Sequence, residues 1–124
     1  GVKGHKPKVE YSLLLSKLKE MTKAELQTLI QDKKGVVVYF KSDTCAPCKA
    51  LRPKIQELVT ETFSEMDFVI VDTMKDPILS SEFNVFANPT ILVFFEGKEY
   101  LRKSKYIGIS ELGGEIERIY KMVF

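Results

Sequence analysis

The sequence has 124 residues, a length that fits one domain with a hydrophobic core of its own. Apolar residues make up 44% and charged residues 29% of the chain, and its 19 basic and 17 acidic side chains leave a formal net charge of +2. This near-balance gives no reason to expect a nucleic acid or an anionic membrane surface as partner, and no apolar run approaches the roughly 18 residues of a membrane span.

The start of the chain differs in composition from the rest. Residues 1–10 are polar and basic and are expected to form a flexible tail, whereas residues 11–124 are expected to form a single domain. Within that domain, residues 11–18 fit either a strand or a helical turn, and the order of the later elements favours a strand. No signal-peptide pattern is present, but Gly1 stands where an initiator methionine is expected. The compartment, cytoplasmic or extracytoplasmic, therefore stays open.

The first clear elements are a helix and a buried strand. Thr22 followed three residues later by Glu25 forms a capping-box pattern that predicts a helix start, and Gly35 predicts the stop. The continuous apolar run over residues 36–40 predicts a strand buried on both faces. The apolar positions with helical spacing between the two signals are Leu26, Leu29 and Ile30.

The remaining elements alternate in a way that defines the fold class. Helical crossovers in the first half of the chain predict parallel pairing, and the tight Glu96-Gly97 turn predicts an antiparallel hairpin. The predicted architecture is therefore α/β, with a mixed central sheet of four to five strands and helices on both faces. The elements are a helix over residues 46–62, a strand over 68–71, a short helix or turn over 77–84, strands over 91–95 and 98–106, and a last helix for which Ser110 is a candidate cap.

The chain has two cysteines, Cys45 and Cys48, separated by two residues. A disulfide framework would use more cysteines at larger separations. A structural zinc site needs four Cys or His ligands, and His5 is the only histidine. The sequence therefore predicts no metal within one chain, and leaves a redox pair, which requires no bound cofactor, or a coincidental pair. A metal shared between two chains stays an alternative.

The position of the pair favours redox chemistry. Cys45 lies between a predicted strand end and a helix start, where unpaired backbone N–H groups and the helix dipole stabilise a thiolate, the nucleophile of disulfide exchange. Lys41 and Lys49 could add to this effect. Cys48 lies in the first helical turn, within reach of a mixed disulfide at Cys45, and Pro47 suits that turn because the N–H it lacks would be unpaired there.

Several motifs together resemble the thioredoxin superfamily, over a stretch from about residue 11 to the C-terminus. Five matches in the right order are more specific than a C-x-x-C pair alone. They are Cys45-Ala46-Pro47-Cys48-Lys49 after a Val-Val-Val-Tyr-Phe strand, Pro53 at the position of the helix-bending proline, Asn88-Pro89-Thr90 as the cis-proline loop, the Glu96-Gly97 hairpin turn, and Gly108 beside the substrate groove.

The resemblance implies the thioredoxin fold and a role for each motif residue. Cys45 would be the nucleophile and Cys48 the resolving cysteine, and Pro89 would be cis and pack beside the sulfurs. Extended substrate segments would pair with the backbone at Asn88, a short form of strand addition. The residues expected to contact substrate are Thr44, Ala46, Pro47, Asn88 and Gly108.

The chain departs from the family pattern at two positions next to the motif. Thr44 stands where thioredoxins carry tryptophan, which removes part of the flat apolar surface used for docking. Tyr39 stands where they carry the buried aspartate that helps deprotonate the resolving cysteine, and Ile70 aligns with its usual lysine neighbour. Cys48 would therefore lose its proton to water, to Tyr39 or to a leaving thiolate. Tyr39 and Lys49 are candidate modulators of the pair.

Other side-chain clusters are interpreted as structural. Asp43 is expected to be a solvated surface residue, and Arg102 and Lys103 to lie on a solvated sheet edge. A set of aromatic residues is expected to fill the core. They are Phe83, Phe86, Phe94 and Phe95.

The function predicted from these observations is thiol–disulfide exchange with protein substrates, with the chain expected to act as a reductant. An unidentified redox partner would have to restore the dithiol, and a monomer is the default expectation. The alternative is a thioredoxin-fold binding or assembly module with little or no redox turnover. The substrate, the redox partner and the direction of electron flow are not determined by the sequence.

Overall fold

Four α-helices and four strands make up the part of the chain that the computed structural model describes, residues 22–124. The predicted tail over residues 1–10 and the predicted strand over 11–18 lie outside the described residues. In chain order the elements are α1 (Lys23–Asp32), β1 (Gly35–Lys41), α2 (Ala46–Glu57, continued by a π-helical turn over Leu58–Thr62), β2 (Asp67–Asp72), α3 (Pro77–Glu82), β3 (Thr90–Phe95), β4 (Lys98–Ser104) and α4 (Ile109–Val123).

The sheet has the mixed topology that the element order predicts. Its strand order is β2-β1-β3-β4, with β1 parallel to β2 and the other two pairs antiparallel. The β3–β4 turn places both Glu96 and Gly97 at positive φ, 51° and 83°, as expected for a tight hairpin turn. A Cβ on Gly97 would also lie only 2.9 Å from Oε1 of Gln31, so both backbone and space favour glycine there.

Helices cover both faces of the sheet, which confirms the predicted fold class. The side chains of β1 alternate between two core layers, with Tyr39 facing α2 and α4 and Phe40 facing α1 and α3. Every residue of β1 before Lys41 is buried, because this strand is central in the sheet and covered on both sides. The largest fully buried side chains of the two layers are Tyr39, Phe68, Phe95, Ile55 and Met66 on one face, and Phe40, Leu26 and Leu92 on the other.

The predicted capping box is present at the start of α1. Thr22 Oγ1 accepts from the backbone N–H of Glu25 at 3.1 Å, and the Glu25 carboxylate accepts from the N–H of Thr22 at 2.9 Å. We expect Thr22→Ala to lower the free energy of unfolding by about 1 kcal/mol, because the N–H of Glu25 loses its side-chain acceptor. Urea denaturation measures this loss. Thr28→Ala, at an exposed position of the same helix, is the matched control, and an equal loss there would contradict the capping explanation.

Two sequence-based predictions are wrong in detail. Phe86 is 79% exposed and does not fill the core. It precedes the loop that leads into β3, where the chain runs over the surface. Ser110 does not cap the last helix, because α4 already begins at Ile109, with Gly108 as a cap that has no side-chain hydrogen bond.

Arg102 and Lys103 on the edge strand β4 form specific contacts in addition to lying at the predicted solvated edge. The Arg102 guanidinium pairs with Glu99 at 2.8 Å and donates to the carbonyl oxygens of Phe83 and Asn84 at 3.0 and 3.1 Å. These two carbonyls lie just past the end of α3, so Arg102 ties this helix to the sheet edge. Lys103 pairs with Glu115 of α4 at 2.9 Å on the other face.

Candidate active site

Cys45 is the N-cap residue of α2, at the end of the loop that follows β1. The loop is held by Ser42, whose carbonyl accepts from the N–H of Cys45 at 3.1 Å and whose hydroxyl oxygen accepts from the N–H of Thr44 at 3.1 Å. The N–H of Cys48 donates to Cys45 Sγ at 3.2 Å. The sulfur of Cys45 therefore occupies the position of a capping acceptor, where the helix start stabilises negative charge on it.

The two cysteines form a disulfide with their Cα atoms 5.3 Å apart. They differ in access to solvent, since Cys48 is 2% exposed and Cys45 is partly exposed. An incoming disulfide can therefore reach Cys45 more readily than Cys48. Pro47, between them, lies in the first turn of α2, as its missing N–H predicts.

Tyr39 lies directly beneath the pair and is fully buried. Its hydroxyl donates to the carbonyl oxygen of Cys48 at 2.8 Å. Burial raises the pKa of Tyr39 to about 12, although the positive charge of Arg52 opposes this shift. The side chain is therefore a neutral hydrogen-bond donor at physiological pH, and it is too weak a base in this form to take a proton from Cys48.

The charged groups at the end of β1 form ion pairs with one another. The Lys41 ammonium lies 2.8 Å from Asp43 and 3.2 Å from Asp72. Partial burial alone would lower the pKa of Lys41, but the hydrogen bonds to both carboxylates outweigh it and the pKa is raised. The hydrogen bond from Lys41 in turn lowers the pKa of Asp43, which is exposed as expected. Lys49 is exposed on α2, and its charge is among those that lower the pKa of Asp43.

The loop before β3 contains the cis Asn88–Pro89 peptide bond. Three contacts fix this loop against its neighbours. The Asn88 amide donates to Thr73 Oγ1 at 3.0 Å, just past the end of β2. The Pro89 carbonyl accepts from the N–H of Lys105 at 2.8 Å, just past the end of β4, and Thr90 Oγ1 donates to the Ala87 carbonyl at 2.7 Å.

A groove of about 460 Å³ runs beside the disulfide. Of the substrate-contact residues predicted from sequence, Pro47 and Gly108 line it together with Pro89, whereas the side chain of Asn88 is turned to Thr73. Thr44 and Ala46 are exposed next to the cysteines but do not line the groove. The residues that line it are Pro47, Ala50, Leu51, Lys54, Pro89, Lys105, Tyr106, Ile107 and Gly108.

Several groove residues were not predicted from the sequence. Ala50, Leu51 and Lys54 follow Pro47 at spacings of three, four and seven residues, which places them on one face of α2. This helical spacing is visible in the sequence and could have indicated that these residues share a face with Pro47. Tyr106, 97% exposed, and its neighbour Ile107 carried no signal beyond their position just before Gly108.

Within residues 22–124 no helix is both long and apolar enough to cross a membrane. In the same residues, no three His, Cys, Asp or Glu side chains are grouped so that they could hold a metal ion.

Comparison with known proteins agrees with this geometry. The "Thioredoxin" family model matches residues 17–118. A thioredoxin from Mycoplasmoides gallisepticum is 37% identical over 90 residues, which are 73% of this chain and 89% of that protein. The thioredoxin-like protein YdfQ from Bacillus subtilis is 24% identical over 109 residues, 85% of this chain and 96% of that protein.

Solved structures show the same fold. Thioredoxin 1 from Thermosipho africanus superposes with a TM-score of 0.65 at 32% identity, covering 70% of this chain and 96% of its own. The oxidised thioredoxin from Plasmodium falciparum has a TM-score of 0.67 at 24% identity, covering 82% of this chain and 97% of its own.

The fold and the Cys45–Cys48 disulfide define this protein as a thiol–disulfide oxidoreductase with protein thiols and disulfides as substrates. The chain belongs to the thioredoxin family. A binding module without redox turnover is not favoured, because both cysteines are present and paired at the start of α2.

Proposed function

We propose that the protein reduces protein disulfides, with Cys45 as the attacking thiolate and Cys48 as the resolving thiol. Cys45 attacks one sulfur of the substrate disulfide, and the other substrate sulfur leaves as a thiolate that takes up a proton. Cys48 then loses its proton and attacks Cys45 Sγ, which releases the second substrate sulfur. Two electrons pass to the substrate, the Cys45–Cys48 disulfide remains, and a separate reductant restores the dithiol.

The observation that carries this proposal is the difference in exposure within the pair. Cys48 is 2% exposed, whereas Cys45 is partly exposed at the helix start. A bulky protein substrate can approach only the accessible sulfur, and a thiolate is stabilised at the N-terminus of α2. The buried sulfur is left to resolve the mixed disulfide from within.

We assign Tyr39 a positioning role in the resolving step. Its hydroxyl holds the backbone of Cys48 but cannot act as a base while its pKa is about 12. The proton of Cys48 therefore leaves to water or to the departing substrate thiolate. The exposed Lys49 contributes at most a screened, long-range charge.

Substrate contacts are assigned to the groove and to the surface around the cysteines. Thr44, Ala46, Pro47 and Gly108 would touch the segment that carries the substrate disulfide. The backbone of Asn88 takes part in none of the loop hydrogen bonds among residues 22–124 and would pair with this segment as an added strand. Because the groove is complete within one chain, we propose that a monomer is sufficient.

A turnover assay tests the function, and the reduction potential of the Cys45–Cys48 pair tests the direction of electron flow. With excess dithiothreitol as the recycling reductant, the protein should accelerate reduction of a peptide disulfide, and no acceleration would overturn the oxidoreductase roles given to the cysteines. The potential is read by alkylation mass shift in glutathione buffers, since the chain has no tryptophan. A value near about −270 mV fits a reductant, and one between about −180 and −120 mV fits an isomerase or oxidant.

A further inference from the structure

The groove beside the disulfide carries two lysines that have no acidic partner among residues 22–124. Lys54 of α2 and Lys105 of the bend after β4 both line it, and none of the described lining residues is acidic. Both side chains are exposed, and neither forms an ion pair with any residue in the described part of the chain. In contrast, Lys41 and Lys103 near the same site are each paired with carboxylates.

The backbone of Lys105 adds an independent observation. Its φ of 64° lies in the left-handed region, which favours glycine or asparagine and is costly for lysine. This conformation is held by hydrogen bonds from its N–H to the Pro89 carbonyl and from the Tyr106 N–H to the Ser104 carbonyl, both 2.8 Å. Strained backbone conformations cluster at functional sites, and this one lies at a residue that lines the groove.

We infer that the groove selects substrate segments that carry acidic residues close to the reactive cysteine. This inference rests on the proposed reductase function, because the groove is the same. The substrate sulfur joins Cys45 Sγ, which lies 3.2 Å from the backbone N of Cys48. Lys54 lies six residues beyond Cys48, which is about 9 Å along the helix axis. An extended segment rises about 3.3 Å per residue, so the favoured acidic residue lies about three residues from the substrate cysteine.

The acidic side chains around the groove restrict where this preference applies. Glu111 lies beside Gly108, since a Cβ on that glycine would be 3.9 Å from Glu111 Oε1. Its charge also acts on Lys103, whose pKa is raised mainly by its hydrogen bond to Glu115. An acidic substrate residue would be repelled at the Gly108 end and attracted at the Lys54 end. Asp43 is exposed but already paired with Lys41.

Three matched peptides test the inference. Each contains one disulfide and differs only in having Glu, Gln or Lys three residues from the reactive cysteine. With dithiothreitol recycling at low salt, we expect kcat/KM to be about tenfold higher for the Glu peptide than for the Lys peptide, with the Gln peptide between them. Because the lysines are exposed, the difference should shrink as salt is added.

The Lys54→Gln/Lys105→Gln double variant should reduce all three peptides at similar rates. Lys98→Gln/Lys121→Gln is the matched control, because it removes two exposed lysines that do not line the groove and should keep the charge preference. Equal rates for the three peptides with the unaltered protein would overturn the inference and leave the reductase function standing.

A binding measurement separates the two proposals. Peptides with serine in place of cysteine bind without chemistry, and their dissociation constants for the Cys45→Ser protein should follow the same order, Glu tightest and Lys weakest. If no peptide disulfide were reduced while this order held, the reductase function would fail and the charge preference would stand. Equal dissociation constants together with equal rates would remove the charge preference.

Discussion

Replacing Cys48 with serine is expected to convert the protein from a catalyst into a trap for its substrates. The accessible Cys45 can still attack a substrate disulfide from the start of α2. Without the buried Cys48 thiol, nothing within the protein can attack Cys45 Sγ, so the mixed disulfide accumulates. We expect turnover to fall at least about 10³-fold, because intramolecular attack benefits from a high effective concentration. Mass spectrometry under non-reducing conditions should detect the protein with the substrate attached.

Cys45→Ser is the matched variant for this experiment. It keeps a thiol at Cys48, but that thiol is 2% exposed and cannot meet a protein disulfide, so neither turnover nor a trapped species is expected. Accumulation of a mixed disulfide at Cys48 in this variant would reverse the proposed roles. Near-normal turnover of Cys48→Ser would mean that another thiol, such as a second substrate molecule or dithiothreitol, resolves the intermediate.

The features that were predictable from sequence depend on neighbouring residues. The capping box at Thr22, the buried run of β1 and the Cys-x-x-Cys pair at a helix start are each contained in a window of a few residues. Local chemistry determines their conformation, and the mixed character of the sheet followed from the alternation of these elements. The fold class was therefore predictable with little tertiary information.

The features that were missed depend on contacts between distant parts of the chain. The position of Lys105 at the groove comes from its hydrogen bond to Pro89, sixteen residues away in sequence, and from a left-handed backbone that no local motif signals. Asn88 is held by Thr73, fifteen residues earlier. Phe86 is expected in the core from its position among strand and loop aromatics, but it is 79% exposed.

Tyr39, beneath the cysteine pair, shows that contacts within the site also depend on distant parts of the chain. The departure at Tyr39 was visible in the sequence, but the acceptor of its hydroxyl was not. That acceptor, the Cys48 carbonyl, becomes its neighbour only when α2 packs on β1. The sequence shows that the buried aspartate typical of the family is absent. The hydrogen bond to the Cys48 carbonyl shows what Tyr39 does in its place.

Truncating Tyr39 is expected to have the largest effect on stability of the changes considered. Tyr39→Ala should lower the free energy of unfolding by about 3–5 kcal/mol, because a fully buried aromatic ring is lost from the layer beneath α2 and α4. Tyr39→Phe keeps the ring and loses only the hydrogen bond to Cys48, so we expect about 1 kcal/mol. Urea denaturation at pH 7, followed by circular dichroism, measures both.

The stabilising contribution of Tyr39 should depend on pH with a defined sign. In the unfolded chain the hydroxyl ionises near its ordinary value of 10.0, whereas in the folded protein it stays neutral up to a pKa of about 12. Ionisation therefore stabilises the unfolded state at a lower pH than the folded state. The free energy of unfolding falls as the pH rises from 10 to 12. By pH 11 this loss is about 1 kcal/mol, comparable to the contribution of the hydrogen bond, so the advantage over Tyr39→Phe should have disappeared.

Two further measurements distinguish positioning from catalysis by Tyr39. Tyr106→Phe is the stability control, since Tyr106 is 97% exposed and its change should leave the free energy of unfolding at pH 7 unaltered. For the chemistry, release of substrate from a preformed mixed disulfide is followed against pH in Tyr39→Phe. A positioning role predicts a slower release with an unchanged pH profile, because the hydroxyl carries no proton away from Cys48. Loss of an ionisation from that profile would instead identify Tyr39 as the base, contrary to the neutral donor inferred from its contact with the Cys48 carbonyl.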